Sequence, residues 1–180
     1  HTSMLGVDAR IDNLMLGVAA GYGKVEIDSR FGDAELKGNL IAPYSAVSLL
    51  DGNLVLSGIL LYQNLEGSYR YASMTNDWDG DRWGARAAAN YYFAPMNGFV
   101  PGVAFGGAYM KDDLDDDQGN DIGAELGEVF AGANISRAYA AGTLYGSLTY
   151  FEDVTSDFDN DAAFIDDGDG SRTELKLGAT

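Results

Sequence analysis

The connections between its alternating segments set the strictest limit on what this chain can fold into. Tight connections alternate with long acidic ones. Asp12-Asn13, Asp51-Gly52-Asn53, Ala94 to Gly98 and Ser136 to Ala141 read as short. Ser29 to Ala34, Ala72 to Asp81, Lys111 to Asp121 and Asp153 to Ser171 read as long. An up-and-down sheet with tight turns at one end and long loops at the other is how bacterial outer-membrane barrels are built. A soluble barrel or sandwich has no reason to sort its connections this way.

Composition narrows the choice. The chain has 180 residues, enough for one barrel domain, and no stretch approaches the roughly 20 apolar residues of a membrane helix. If it spans a membrane, strands do the spanning. The formal net charge of -17 excludes nucleic acid, which selects a basic face. There is no cysteine, so disulfides and thiolate metal sites are out. No signal peptide is visible. His1-Thr2-Ser3-Met4 resembles an expression-tag remnant, and residues 5–180 are expected to form one barrel domain, truncated at one or both ends.

Period-two alternation gives each strand two faces. Leu14, Leu16, Val18, Ala20 and Tyr22 oppose Met15, Gly17, Ala19, Gly21 and Gly23. Leu36, Leu40, Ala42 and Tyr44 oppose Glu35, Lys37 and Asn39. Trp83, Ala85, Ala87, Ala89, Tyr91 and Phe93 oppose Arg82, Gly84, Arg86 and Asn90. Val129, Ala131, Ala133 and Ile135 oppose Glu128, Phe130 and Asn134. The stretch Leu54 to Tyr71 begins apolar on both faces, as for a strand buried on both sides or one with lipid outside and a plug inside. Elsewhere one face is large and apolar, and the other is small or charged. A soluble barrel fills its interior with large apolar side chains. The inverse, a lipid-facing exterior around a polar lumen, fits the membrane barrel. Charges of both signs on the small face, among them Asp8, Arg10, Lys37, Arg86, Glu128, Glu174 and Lys176, are candidates to pair across the lumen. Tyr22, Tyr62, Trp83, Tyr109 and Tyr150 fall toward the outer rim. Tyr44, Tyr91, Phe93 and Phe99 fall toward the inner one, as two interfacial girdles require.

Several residues carry a resemblance. Leu14-Met15-Leu16-Gly17-Val18-Ala19-Ala20-Gly21-Tyr22-Gly23-Lys24 is similar to the LxLGxAxGYG strand of autotransporter translocator domains. Gly6 to Asn13 fits that family's strand-turn lead-in, and Asn53 to Arg70 resembles its next long hairpin strand. The resemblance implies a twelve-stranded barrel with a helix in the pore, one that anchors a passenger domain and helps deliver it to the cell surface. It also implies outer-membrane lipid, lipopolysaccharide and the barrel-assembly machinery as partners. Two features depart from the family. About nine strands are legible here, and the sequence closes on Leu177-Gly178-Ala179-Thr180 rather than on an aromatic residue.

Sites are sparse. The lone histidine is His1, so a Ser-His-Asp or Cys-His arrangement is unavailable and no enzyme is expected. Asp157, Asp159 and Asp161 alternate like the opening of a calcium loop, as do Asp77, Asp79 and Asp81. The sixth and twelfth positions then hold Ala162 and Gly168 in one run and Arg82 and Ala88 in the other, which breaks the signature. Asp157, Asp159 and Asp161 stand as candidate ligands for weak Ca²⁺ or Mg²⁺ bridging to lipopolysaccharide phosphates. No other cofactor is expected. Acidic loops at the outer mouth predict a cation preference if the lumen is open.

The expected fold is therefore all-β, an up-and-down antiparallel transmembrane barrel of about 10–12 strands in the intact protein. The expected function is anchoring and export or display of a passenger in the bacterial outer membrane. The alternatives are a small stand-alone porin or adhesin, and a soluble ligand-binding β-barrel.

Overall fold

The computed structural model describes residues 2–29, 32–71, 74–117, 121–159 and 170–179. Nine strands follow in chain order: β1 (Thr2–Ile11), β2 (Leu14–Ser29), β3 (Gly32–Leu49), β4 (Leu54–Tyr71), β5 (Met74–Tyr92), β6 (Val100–Asp116), β7 (Asp121–Tyr139), β8 (Gly142–Asp159) and β9 (Ser171–Ala179). Each pairs antiparallel with the next, and the spatial order equals the sequence order. The sheet is open. β1 and β9 lie at its two edges, and both run toward the tight-turn end.

The tight turns have explicit chemistry. Asn97 and Gly98 both sit at positive φ, 53° and 81°, and Met96 and Phe99 exchange two backbone hydrogen bonds of 2.8 and 3.0 Å. That is the two-residue hairpin whose twist matches its strands. Asp12, Leu50 and Asp51 take the same left-handed backbone at two other turns of that end.

The other end differs from expectation. β2 through β8 run 16 to 19 residues, whereas a tilted strand crosses a bilayer in about 9–11. The surplus projects beyond the membrane as paired strand. β2 ends at Ser29 and β3 begins at Gly32; β4 ends at Tyr71 and β5 begins at Met74. Most of the residues read as long acidic loops thus belong to strands. Asp112 to Asp116 lie in β6, with Asp113 opposite Asp81 and Asp115 opposite Asp79. Like charges face each other there; Asp79, Asp113 and Asp115 are exposed, where water and salt screen them, and the half-buried Asp81 accepts from Tyr62. Acidity marks strands leaving the membrane as readily as it marks loops.

Burial shows which solvent the sheet is built for. Among the described residues the buried apolar set is Ala19, Ala42, Leu65, Phe130 and Phe151. Large apolar side chains stand exposed instead: Leu5 at 80 %, Leu177 at 79 %, Leu60 at 61 % and Phe105 at 57 %. An apolar face of that extent is stable only against lipid or another apolar surface.

Register assigns the faces strand by strand. β2, β5, β6, β7, β8 and β9 present the faces that alternation predicts. β4 resolves as Leu54, Leu56 and Leu60 outward, with Val55, Ile59 and Leu61 inward. β3 corrects the expectation. Ala42 pairs with Ala19 and is 2 % exposed, while Ile41 pairs with Ala20 and is 48 % exposed. Leu36, Leu40, Ala42 and Tyr44 therefore face inward, and Glu35, Lys37 and Asn39 face outward. Apolar residues lie on both faces of β3, so alternation within the strand cannot rank them; pairing with β2 decides. Tyr44 accordingly leaves the inner girdle and enters the lumen.

The inner face is shaped by cross-strand pairs of glycine and an aromatic ring. Tyr44 lies over Gly17 and Phe130 over Gly106, each directly opposite its glycine. A Cβ at either glycine would collide with the ring. The ring refills the gap that glycine leaves in the pleat, and that gap admits sharp curvature.

Candidate functional site

With the faces assigned, one surface of the sheet forms the lining of a concave lumen. Its mid-height row runs across neighbouring strands and carries Asp8 on β1, Tyr44 on β3, Arg86 on β5, Glu128 on β7 and Asp153 on β8. The row nearer the membrane's outer side is uncharged and apolar, with Ala19, Ala42, Leu61, Met110 and Leu126. Above it Arg82 and Asp112 pair across β5 and β6. The row below the waist holds Phe130, Phe151 and Arg172. Charge is thus stacked in layers along the pore.

Bonding within the lumen runs along the wall. The Tyr44 hydroxyl donates to Asp8 at 3.1 Å. Arg82 donates through Nε and Nη2 to the two oxygens of Asp112, both at 2.7 Å, a bidentate geometry that suits guanidinium and carboxylate. Arg172 meets Glu128 at 2.7 Å, with Glu128 almost covered. The Arg172 guanidinium also lies 4.1 Å from the centre of the Phe151 ring, and Arg86 lies 4.6 Å from that of Phe130. The two rings meet at 5.6 Å. A β-bulge beside Gly127 and Glu128, with Val154 as the extra residue, places Glu128 opposite Asp153. Bulges re-aim side chains in this way. Of the charges named from sequence, Asp8, Arg10, Arg86, Glu128, Glu174 and Lys176 line the lumen, and Lys176 pairs with Glu174 on its own strand. Lys37 does not. It faces outward beside Glu66 at 3.3 Å. Alternation marked Glu128 but not its partner, because Arg172 sits two strands away and only register brings it near.

The outer face carries the membrane chemistry. Tyr62 and Trp83 stack with centroids 4.5 Å apart, and the Tyr62 hydroxyl donates to Asp81 at 2.7 Å. Tyr62 thus has an apolar ring on the belt and a polar edge held by Asp81, which is the interfacial arrangement. Tyr22, Tyr109 and Tyr150 are also outward and exposed. Toward the turns, Tyr91 and Phe93 meet edge to face at 5.1 Å, and Arg137 lies 4.8 Å from the ring centre of Phe99 and 5.0 Å from that of Tyr139. Beyond the outer girdle, Lys24 bonds Glu26 at 2.7 Å and Glu35 at 3.0 Å. Lys24 holds the Glu26 carboxyl below the usual carboxylate range, by hydrogen bond first and charge second.

Of the candidate metal ligands, two lie at the edge of the described residues and one lies beyond it. Asp157 and Asp159 fall near the end of β8, their backbones opposite Glu125 and Gly123, and Asp161 lies outside the described residues. Asp77, Asp79 and Asp81 lie on the outward face of β5. Among the described residues no group of three or more possible ligands is clustered to hold a metal.

Comparison with known proteins agrees with this geometry. A family model described as the autotransporter β-domain matches residues 2–180. The fold is similar to the translocator domain of autotransporter NalP from Neisseria meningitidis, with TM-score 0.81 and 15 % identity over 99 % of this chain and 68 % of that one. It is similar to the β-domain of the Bordetella autotransporter BrkA, with TM-score 0.66 and 16 % identity over 99 % of this chain and 75 % of that one. The hemophore receptor HasR of Serratia marcescens matches more loosely, with TM-score 0.55 and 14 % identity over 99 % of this chain and 31 % of that one. No curated protein sequence matches.

Proposed function

The chain belongs to the autotransporter β-domain family, an outer-membrane translocator barrel for passenger export, and from that premise we propose how its surfaces divide the work. The outward apolar belt between the Tyr62–Trp83 and Tyr91–Phe93 girdles holds the domain in outer-membrane lipid. The strand extensions above it stand among lipopolysaccharide headgroups. The lumen is the route or resting place of the polypeptide that links barrel to passenger. The barrel-assembly machinery is the partner that inserts it, because an open sheet edge cannot persist in hydrocarbon and closure must be coupled to insertion.

The observation that carries this reading is the inversion of the sheet, with Leu5, Leu60, Phe105 and Leu177 outside and a charged wall inside. It disfavours the soluble ligand-binding barrel, whose large apolar residues would fill the interior. The porin or adhesin alternative shares the inversion and differs in having no passenger to deliver.

Surface proteolysis of whole cells separates the two. Cells making the full-length protein should show a protease-accessible passenger, and cells making it without residues 5–180 should retain that passenger inside. A passenger that reaches the surface without the barrel would overturn export as the function and leave the porin or adhesin reading.

A further inference from the structure

Among the described residues, the mid-height row of the lumenal wall carries a guanidinium, Arg86, that no acid takes up. Arg86 projects from β5 with Ile59 and Ala108 as its cross-strand neighbours, and neither can pair with a cation. Three acids share its row. Asp8 accepts from the Tyr44 hydroxyl at 3.1 Å, and three strands separate it from β5 on the other side. Glu128 is bound by Arg172 at 2.7 Å, and Asp153 lies one strand beyond Glu128. Among the described residues, Arg86 makes one recorded contact, the Phe130 ring at 4.6 Å. The ring fixes the guanidinium and shields one face, but it satisfies none of the five N–H donors.

The same wall supplies companions. Ser57 on β4 and Asn90 on β5 line, together with Arg86, a cavity of about 430 Å³ whose wall also includes Asn134, Thr149 and Glu174, the last held by Lys176 at 2.9 Å. That volume falls within the range of small-ligand pockets, roughly 300–1,000 Å³. Hydroxyl and amide donors around a planar fork of N–H groups are suited to an oxyanion, because guanidinium grips carboxylate or phosphate through two parallel bonds.

We infer that Arg86, with Ser57 and Asn90, forms an oxyanion-binding site in the lumen that takes a carboxylate or phosphate group. The oxyanion has two possible sources: a small anion entering from solvent, or an acidic side chain of a polypeptide segment lying in the pore. The chemistry at Arg86 is the same for both. The site depends on the barrel alone, so failure of the export experiment leaves it standing.

The test is nuclear magnetic resonance of the full-length protein folded in micelles, following the Arg86 Nε–H and Asn90 side-chain amide signals. Sodium acetate and sodium phosphate are the probes. A saturable shift of both signals, lost in R86Q and weakened about tenfold in R86K, supports the site with a solvent anion as its source. An Arg86 signal that neither salt moves, with a nuclear Overhauser contact to an Asp or Glu side chain of the protein's own chain, supports it with that chain as the source. An Arg86 signal that neither salt moves and that shows no such contact overturns the inference, the displacement caused by the Phe130 ring counting for neither outcome. Heat-modifiable gel mobility confirms that each variant has folded. If R86Q does not fold, the wild-type titration and R86K still decide.

Discussion

At Gly106 the side chain's space is taken by the ring of Phe130 and by the backbone carbonyl of Ala87. G106V should therefore force the ring off its rotamer and destabilise the domain by about 1–3 kcal/mol. An unchanged urea midpoint in micelles would show that the ring moves freely. The Arg82–Asp112 pair makes a second case. Both side chains are largely covered, at 25 % and 13 % exposure, and two bonds of 2.7 Å join them. D112N should cost about 1.5–3 kcal/mol by weakening two charge-assisted bonds. A double-mutant cycle with R82Q checks it, and additivity of the two single effects would mean that the pair contributes nothing as a pair. Neither relationship is visible in the linear sequence. Gly106 reads there as a flexible or curvature residue, and its partner lies 24 positions away (130 − 106).

A single strand shows how face decides the fate of a substitution. Ala87 and Ala88 are adjacent on β5, midway between Trp83 and Tyr91, and alternation turns Ala87 to lipid and Ala88 to the lumen. A87R should cost about 2–4 kcal/mol, the expense of a cation near the bilayer midplane, whereas A88R projects into a polar cavity and should cost far less. Equal losses measured by unfolding in lipid vesicles would refute the face assignment. Turns obey a similar local logic. Gly98 sits at φ 81° in the Asn97-Gly98 hairpin, so G98V should destabilise β5–β6 pairing by about 1 kcal/mol, read as an earlier thermal transition in micelles. Strand existence, β5 to β9 faces and tight turns were all legible in sequence, since each depends on two to six neighbouring residues. The faces of β3 were not. Ile41 and Val47 are apolar on one side and Leu36, Leu40 and Ala42 on the other, and nothing within the strand says which set meets Ala19.

For the whole molecule the decisive property is that its apolar surface points outward. Folding should therefore require an apolar solvent. Without detergent the chain should aggregate or stay unfolded; in micelles it should be β-rich and shift in gel mobility on boiling. A monodisperse, cooperatively unfolding species in plain buffer would contradict the lipid-facing assignment. What the sequence by itself determined is the alternation of strands and tight turns, the inverted polarity of the faces, the aromatic girdles other than Tyr44, and membership of a translocator family. These are properties of near neighbours along the chain, set by the two-residue period of a strand and the φ demands of a turn. Only the tertiary structure decided that the acidic stretches are strand extensions, that β3 turns Tyr44 inward to Asp8, and that Arg172 claims Glu128 while Arg86 is left to the lumen. Those outcomes depend on register between strands and on the curl of the sheet, which bring together residues tens of positions apart and leave no local pattern in the chain.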